Sequence, residues 1–176
     1  DWEVDSGMPE TALAAGCRDI ARQLVEYDRG DGIEVVLGGG RTMFLPDSAR
    51  DPEYPPVPGR RADGVDLTAL WQARHADGAY VWNGEAFAEL DPQAPGPVLG
   101  LFEPSHMRFE ADRADDPGAE PSLAEMTRFA LAKLSHAGGR QGFLLVVEAG
   151  RIDHAHHAAN AHRALVDTIA LSDAVA

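Results

Sequence analysis

GFLLVV at residues 142–147 decides the fold class, because it is the strongest strand signal in the chain. Every side chain after its glycine is apolar, as expected of a central strand that is buried on both faces of a parallel sheet. A loop follows, and then a predicted helix that runs from about Asp153 to the end of the chain. A buried strand that leads into a helix is half of a parallel α/β unit.

Helices and strands alternate along the rest of the chain as well. Asp31-Gly32 ends the first predicted helix, and Gly138-Gly139 ends the third. The sequence therefore predicts an α/β fold with a mostly parallel central sheet. The predicted helices occupy 9–29, 67–75 and 121–137, and the further predicted strands occupy 33–37, 79–82 and 98–102.

Two stretches are predicted to lack regular structure. Residues 41–61 contain five prolines, which exclude continuous helix or sheet, and residues 110–120 are strongly acidic. A loop as long as 41–61 is uncommon inside a compact domain and is usually functional or disordered.

Composition excludes several classes of protein. The 176 residues carry 15 basic and 29 acidic side chains, for a formal net charge of −14. A surface this acidic repels nucleic acid and attracts cations. No apolar run approaches the roughly 18 residues that a membrane helix needs. Cys17 is the one cysteine, so it is either a small buried residue or half of a bridge to sequence outside this chain.

Chemistry-bearing residues are concentrated directly after the strand at 142–147. Glu148 stands at the carboxyl end of this strand, where ligands of open α/β sheets bind. Asp153 and His157 are four residues apart on the predicted helix, so one face presents both. A carboxylate and an imidazole together suit zinc, and an oxygen-only ligand suits Mg²⁺. The alternative is an acid at a helix N-terminus beside an exposed imidazole.

No serine in the chain is a convincing nucleophile. Ser48 lies in the proline-rich loop without a helix N-terminus to activate it. The glycines at 38–40 lack the Lys and Ser/Thr of a phosphate-binding loop, and we interpret them as a tight turn after a strand.

VEAGRIDHAHH at residues 147–157 resembles the alkaline phosphatase motif V-E-G-G-R-I-D-H-x-H-H, with Ala149 in place of one glycine. Further stretches resemble the animal-type branch of this family in the same order, so the likeness covers almost the whole chain. These stretches are GCRDIA at 16–21, VLGGGR at 36–41, DPEYP at 51–55, YVWN at 80–83 and GLFEP at 100–104.

The resemblance implies roles for four residues of the 147–157 motif. Asp153 and His157 match two ligands of the first zinc, Glu148 matches the carboxylate on magnesium, and His154 matches a position that faces the bound phosphate. It also implies a peripheral calcium-type site. Its expected ligands are Glu53, the carbonyl of Phe102, Glu103 and Glu120, although the last position is usually Asp and the loop before it is longer here.

The resemblance further implies a part of a three-layer sandwich, with 41–120 as a proline-rich insertion that carries the peripheral metal site. The expected activity of the full-length protein is hydrolysis of phosphate monoesters through a phosphoserine intermediate, with two zinc ions and one magnesium per subunit of a homodimer. The expected location is extracellular, periplasmic or at the cell surface, with Cys17 paired to an earlier cysteine.

We expect this chain to be a central fragment, since the nucleophilic serine and the phosphate-binding arginine of the family would precede Asp1. The fragment alone is expected to be inactive. Two alternatives stay open at this point. One is a non-catalytic metal-binding fragment, and the other is a sulfatase or phosphodiesterase of the same superfamily.

Overall fold

The computed structural model describes residues 2–30, 32–137 and 142–176. Short 3₁₀ helices occupy Asp5–Gly7 and Glu110–Asp115. The strands are β1 (Val35–Gly38), β2 (Ala79–Val81) and β3 (Val98–Leu101). The α-helices are α1 (Glu10–Ala14), α2 (Ile20–Glu26), α3 (Arg41–Phe44), α4 (Leu67–Arg74), α5 (Gly84–Ala88), α6 (Leu123–Ala137), α7 (Arg151–His157) and α8 (Ala161–Val175).

The three strands form one open parallel sheet in the order β1-β3-β2. Leu99 of β3 is paired with Val36 on one side and Tyr80 on the other. All residues of β3 are buried, as a central parallel strand requires. The predicted α/β class with a parallel sheet is confirmed, and the carboxyl ends of all three strands lie at one edge.

Helices cover both faces of this sheet. Leu99 and Leu101 pack against α2 and α4. Gly100 points to the opposite face, where a Cβ would lie 2.6 Å from the ring of Phe102 and 2.7 Å from the side chain of Leu37. The Phe102 ring fills that space and packs with side chains of α5 and α6. The sheet therefore lies between two helix layers.

The predicted helix at 9–29 is wrong as a single element, because it divides into α1 and α2. Gly16 has a φ of 83°, a left-handed conformation that ends α1. Asp19 then begins α2, since its side chain accepts a hydrogen bond from the backbone N–H of Arg22 at 2.9 Å.

The predicted helix from Asp153 to the end is also divided. It begins two residues earlier, at Arg151, and α7 ends at His157. Ala159 has a φ of 50°, and the side chain of Asn160 caps α8 by accepting from the backbone N–H of Arg163. A left-handed residue followed by a capping residue cannot continue the same helix.

The strand predicted at 142–147 is absent, because this segment pairs with no strand in the part of the chain that the structure describes. Leu144 and Val146 are 86% and 80% exposed. An apolar run shows that a segment needs burial, but a strand also requires a partner for its backbone hydrogen bonds. The predicted helix breaks at Asp31 and at Gly138-Gly139 fall on residues outside the described ranges.

The two predicted loops are mostly irregular, and each contains one short helix: α3 at the start of 41–61 and the 3₁₀ helix Glu110–Asp115 in 110–120. The strands β2 and β3 fall within 41–120 and share the sheet with β1, and the description of 41–120 as an insertion stays a prediction. Among the described helices, none is long and apolar enough to cross a membrane.

Candidate metal centres

The glycines after β1 bring two strand-end loops into contact. A Cβ at Gly39 would lie 2.0 Å from the carbonyl oxygen of Ser105, so only glycine fits there. Gly40 has a φ of 84°, and its N–H donates to the same carbonyl at 2.5 Å. The loop after β1 is thereby fixed against the loop after β3, as expected for a structural turn.

Arg41, directly after these glycines, is fully buried and connects the strand ends to the proline-rich loop. Its guanidinium donates two hydrogen bonds of 2.7 Å to Asp51 and one of 2.8 Å to Glu53. It also donates to the carbonyls of Leu101 and Trp82, at the ends of β3 and β2. Burial alone would lower the pKa of Arg41, but hydrogen bonds to Asp51 and Glu53 raise it above its ordinary value.

Three carboxylates meet beside Arg41. One oxygen from each of Glu53, Glu103 and Asp116 lies within 4.8 Å of the other two, and we call these residues the carboxylate cluster. Glu103 follows β3, and Asp116 follows the 3₁₀ helix. Glu53 is held by Arg41 and by the backbone N–H of Gly118, at 2.9 Å.

A second arginine, Arg108, also contacts the carboxylate cluster. The Nε of Arg108 lies 3.3 Å from Glu103 and 3.3 Å from Asp116. Another nitrogen of its guanidinium donates to the hydroxyl of Tyr54 at 2.8 Å, and this hydroxyl donates to Asp116 at 3.3 Å.

The carboxylate cluster holds more negative charge than its surroundings neutralise. Burial raises the pKa of Glu103 to about 8, and the hydrogen bond that the protonated Glu103 donates to Asp116 and the charge of Glu53 add to this rise. Burial also raises the pKa of Glu53 above its ordinary value. Carboxylates that resist ionisation when crowded are stabilised by a bound cation, and oxygen-only donors suit Ca²⁺ or Mg²⁺.

The structure brings together two of the predicted peripheral ligands, Glu53 and Glu103, and the fully buried Phe102 precedes the latter. Glu120 is not part of the carboxylate cluster, which contains Asp116 instead. One carboxylate oxygen of Glu120 accepts from the backbone N–H of Arg108 at 2.9 Å. The other is buried and has no hydrogen-bond partner among the described residues. Burial raises the pKa of Glu120 to about 7.

The predicted zinc ligands lie side by side on α7. The Oδ2 of Asp153 and the Nε2 of His157 are 3.4 Å apart, and their side chains are 72% and 80% exposed. Glu148 is exposed as well, just before the helix. The spacing expected from the sequence is therefore present, with both side chains open to solvent.

Glu148, Asp153 and His154 line a cavity of about 1170 Å³, which also borders the glycine turn after β1. Here the ring of His154 contacts the ring of His106, with centroids 4.4 Å apart. Burial lowers the pKa of His106, and the neighbouring His154 and Arg151 lower it further. The Nδ1 of His154 is 2.8 Å from the guanidinium of Arg151.

The middle of α7 is buried, although the side chains of Asp153 and His157 are exposed. Ala155 is fully buried against Phe109 and Ala164 of α8. The guanidinium of Arg151 lies 3.7 Å from the centre of the Phe109 ring, and that of Arg163 lies 4.5 Å from it. These contacts hold the backbone from which Asp153 and His157 project.

Sequence reasoning missed Arg41, Arg108, Asp116 and His106. The position of Arg41 directly after the glycine turn was a usable signal, and Asp116 lies in the acidic stretch that the sequence marked only as a loop. His106 had no local signal, because His154 is distant in sequence, and the contact of Arg108 with Tyr54 is distant as well. Cys17 is exposed, so of the two alternatives given for it the small buried residue is wrong.

Comparison with known proteins relates this geometry to one family. The profile of the family described as alkaline phosphatase matches residues 1–176. The chain is 41% identical to the tissue-nonspecific alkaline phosphatase of Felis catus, with 99% of the chain and 33% of that protein aligned. It is 42% identical to the same isozyme of Gallus gallus, with 99% of the chain and 34% of that protein aligned.

Solved structures agree. The chain matches the crystal structure of Thermus thermophilus alkaline phosphatase with a TM-score of 0.67 and 37% identity, over 86% of this chain and 27% of that one. It shares its fold with the alkaline phosphatase of the Antarctic bacterium TAB5, with a TM-score of 0.61 and 18% identity over 88% of this chain and 38% of that one. The chain spans about a third of the length of the curated relatives it matches. This chain belongs to the alkaline phosphatase family.

Proposed function

We propose that this chain is the central part of an enzyme that hydrolyses phosphate monoesters. One observation of the site supports this most directly: Asp153 and His157 stand 3.4 Å apart on α7, beside the cavity that Glu148 and His154 line. Membership of the alkaline phosphatase family over the whole chain supports the choice of substrate class.

In this proposal Asp153 and His157 hold zinc and Glu148 holds magnesium. The donor chemistry fits, because zinc accepts imidazole nitrogen with carboxylate oxygen and magnesium prefers oxygen alone. When bound, such ions polarise phosphoryl oxygens and lower the pKa of a bound water. The chain's own contribution is orientation: α7 is anchored through Ala155, so its ligands project from a fixed backbone.

His154 contacts the phosphate in this proposal, and Arg151 determines which ring nitrogen of His154 carries the proton. A guanidinium only donates hydrogen bonds, so the Nδ1 that lies 2.8 Å from Arg151 is the acceptor. The proton of the neutral ring is then on Nε2, which can donate to a phosphate oxygen. Arg151 is therefore a positioning residue for His154.

The remaining parts of the proposal follow from the family. The nucleophilic serine that forms a phosphoserine intermediate and the arginine that binds phosphate would come from outside these 176 residues. We propose two zinc ions per subunit, a homodimer, and a location outside the cell, in the periplasm or at the cell surface. We also propose that Cys17, which is exposed, pairs with an earlier cysteine.

The carboxylate cluster supports a second, structural role. We propose that it binds Ca²⁺ and thereby fixes the proline-rich loop to the end of β3, with Glu53, Glu103 and the carbonyl of Phe102 as ligands. Oxygen donors from separate loops form the flexible shell that Ca²⁺ accepts.

The test of the catalytic role uses Asp153→Ala and His157→Ala in the full-length enzyme, with His156→Ala as the matched control. His156 is an exposed histidine next to the predicted ligand. We expect each ligand variant to lose zinc and to lower kcat/KM for p-nitrophenyl phosphate by at least about 100-fold. The control should retain both properties within about threefold.

Three outcomes of this experiment would contradict the proposal. Normal zinc content and turnover in Asp153→Ala would remove the assigned ligand. Equal losses in His156→Ala would point to damage of α7 rather than loss of a ligand. Faster hydrolysis of p-nitrophenyl sulfate or of a phosphodiester by the unaltered enzyme would favour the sulfatase or phosphodiesterase alternative.

A further inference from the structure

The side chain of His106 lies beside that of His154, the residue to which the proposed function gives the phosphate contact. The centroids of the two rings are 4.4 Å apart and the ring planes are inclined at 60°, which is an edge-to-face contact. Both histidines line the cavity of about 1170 Å³ that Glu148 and Asp153 also line. The contact therefore joins the loop after β3 to α7 inside the proposed active-site cavity.

The backbone that carries His106 is fixed, although its side chain is exposed. A Cβ at Gly39 would lie 2.0 Å from the carbonyl oxygen of Ser105 and 3.1 Å from the backbone nitrogen of Met107. The glycine turn after β1 thus packs directly against the neighbours of His106 on both sides. The side chain of Met107 packs in addition against the core that contains Phe102. His106 therefore borders the cavity from a defined position.

Arg151 alone does not fix the orientation of the His154 ring. Its hydrogen-bond contact of 2.8 Å holds Nδ1, but the ring can still tilt about that atom, since the terminal torsion of histidine is broad. The ring of His106 limits this tilt without adding charge. Burial lowers the pKa of His106, and His154 and Arg151 lower it further against the opposing effect of Glu3. The His106 ring is consequently neutral at neutral and alkaline pH.

We infer that His106 is a positioning residue for His154, and that its ring holds the imidazole of His154 in the orientation in which Nε2 meets a phosphate oxygen. The inference rests on the phosphate contact proposed above for His154. Because Arg151 and His106 act on the same ring, the loss of His106 should weaken phosphate binding through His154 alone.

Steady-state kinetics of the zinc-loaded full-length enzyme test this role, with p-nitrophenyl phosphate as substrate and inorganic phosphate as competitive inhibitor. His106→Ala should lower kcat/KM and raise the Ki for phosphate, each about tenfold, because a displaced contact group loses binding in this range. His106→Phe keeps an aromatic ring against His154 and should recover most of this loss. His136→Ala is the matched control, because His136 is an exposed histidine of α6, and it should stay within about twofold.

The double variant His106→Ala/His154→Ala separates positioning from a purely structural role. It should match His154→Ala within about twofold, because His106 has no further effect once the ring that it orients is gone. Losses that multiply in the double variant would show that His106 acts independently of His154 and would refute the inference. A His106→Phe variant as impaired as His106→Ala would refute it as well, and so would loss of zinc from His106→Ala.

Two further results separate this inference from the proposed function. If His154→Ala keeps normal kinetics while Asp153→Ala is inactive, the phosphate contact of His154 is wrong and the inference fails with it, although the zinc proposal stands. If His154→Ala is impaired and His106→Ala is not, the role of His154 stands and the inference about His106 is wrong.

Discussion

Helix α7 and the carboxylate cluster both carry metal-binding side chains, but these side chains differ in exposure and in charged partners. Asp153 and His157 are more than 70% exposed, and their only close charged contact among the described residues is with each other. Glu53, Glu103 and Asp116 are enclosed by Arg41 on one side and by Arg108 on the other.

The difference is whether solvent or protein groups stabilise the charges of the ligands. Exposed ligands remain solvated, so α7 can hold them without counter-charges and fold stability does not depend on them. Buried carboxylates must be paired or protonated, so the cluster is built into the stability of the fold. Three measurements test this contrast, and their expected effects decrease in size.

The largest effect is expected from Arg41→Met. Removing the guanidinium leaves the buried Asp51 and Glu53 without a charged partner, so the free energy of unfolding should fall by about 3–5 kcal/mol. Arg29→Met is the matched control, because this arginine is exposed and should change stability by less than about 0.5 kcal/mol. Chemical denaturation of the full-length enzyme measures the free energy of unfolding of both variants. Equal losses in the two variants would show that the buried carboxylates do not depend on Arg41 for stability.

The pH dependence of stability should be of intermediate size. Burial raises the folded-state pKa of Glu120 to about 7 and that of Glu103 to about 8, from an ordinary value of 4.5. A carboxyl with a raised pKa stabilises the fold while it is protonated, and this contribution is lost as the pH rises through the folded-state pKa. In metal-free protein the free energy of unfolding should therefore fall by about 1–3 kcal/mol between pH 5 and pH 8.

Glu120→Gln sharpens the pH measurement, because it removes one of the two groups and should reduce the slope most between pH 5 and pH 7. A slope that is unchanged in this variant, or stability that increases towards pH 8, would show that Glu120 is not a neutral buried acid in the folded protein.

The smallest effect should come from Asp153→Ala in metal-free protein. The side chain is 72% exposed, so its loss should change the free energy of unfolding by less than about 0.5 kcal/mol. The same variant is expected to lose most activity in the metal-loaded enzyme. Destabilisation by more than about 2 kcal/mol without metal would mean that Asp153 supports α7 itself.

The sequence predicted those elements whose signals are local. β1, β2, β3 and α4 were placed within two residues, since apolar runs and turn residues mark them directly. The pairing of Asp153 with His157 followed from helical spacing alone. Gly16 and Ala159 divide helices that looked continuous, because a left-handed residue leaves the apolar spacing on either side intact.

The carboxylate cluster was only partly predictable for a different reason. Glu53 and Glu103 came from the resemblance to alkaline phosphatases, but the choice between Asp116 and Glu120 depends on how the chain turns after the 3₁₀ helix. The role of Arg41 depends on partners 10 to 60 residues away, and that of Arg108 depends on Tyr54, 54 residues away, as well as on the nearer Glu103 and Asp116. No local pattern encodes such contacts.

The hydrogen bond from Arg41 to the carbonyl of Leu101 spans 60 residues. It forms only when the loop after β1 has met the end of β3, and closing a loop of that length is slow compared with forming a local turn. The same guanidinium also binds Asp51 and Glu53, so one side chain joins the end of β3 to the proline-rich loop. Its full set of hydrogen bonds is therefore a signature of chains in which the sheet and this loop have both reached their folded positions.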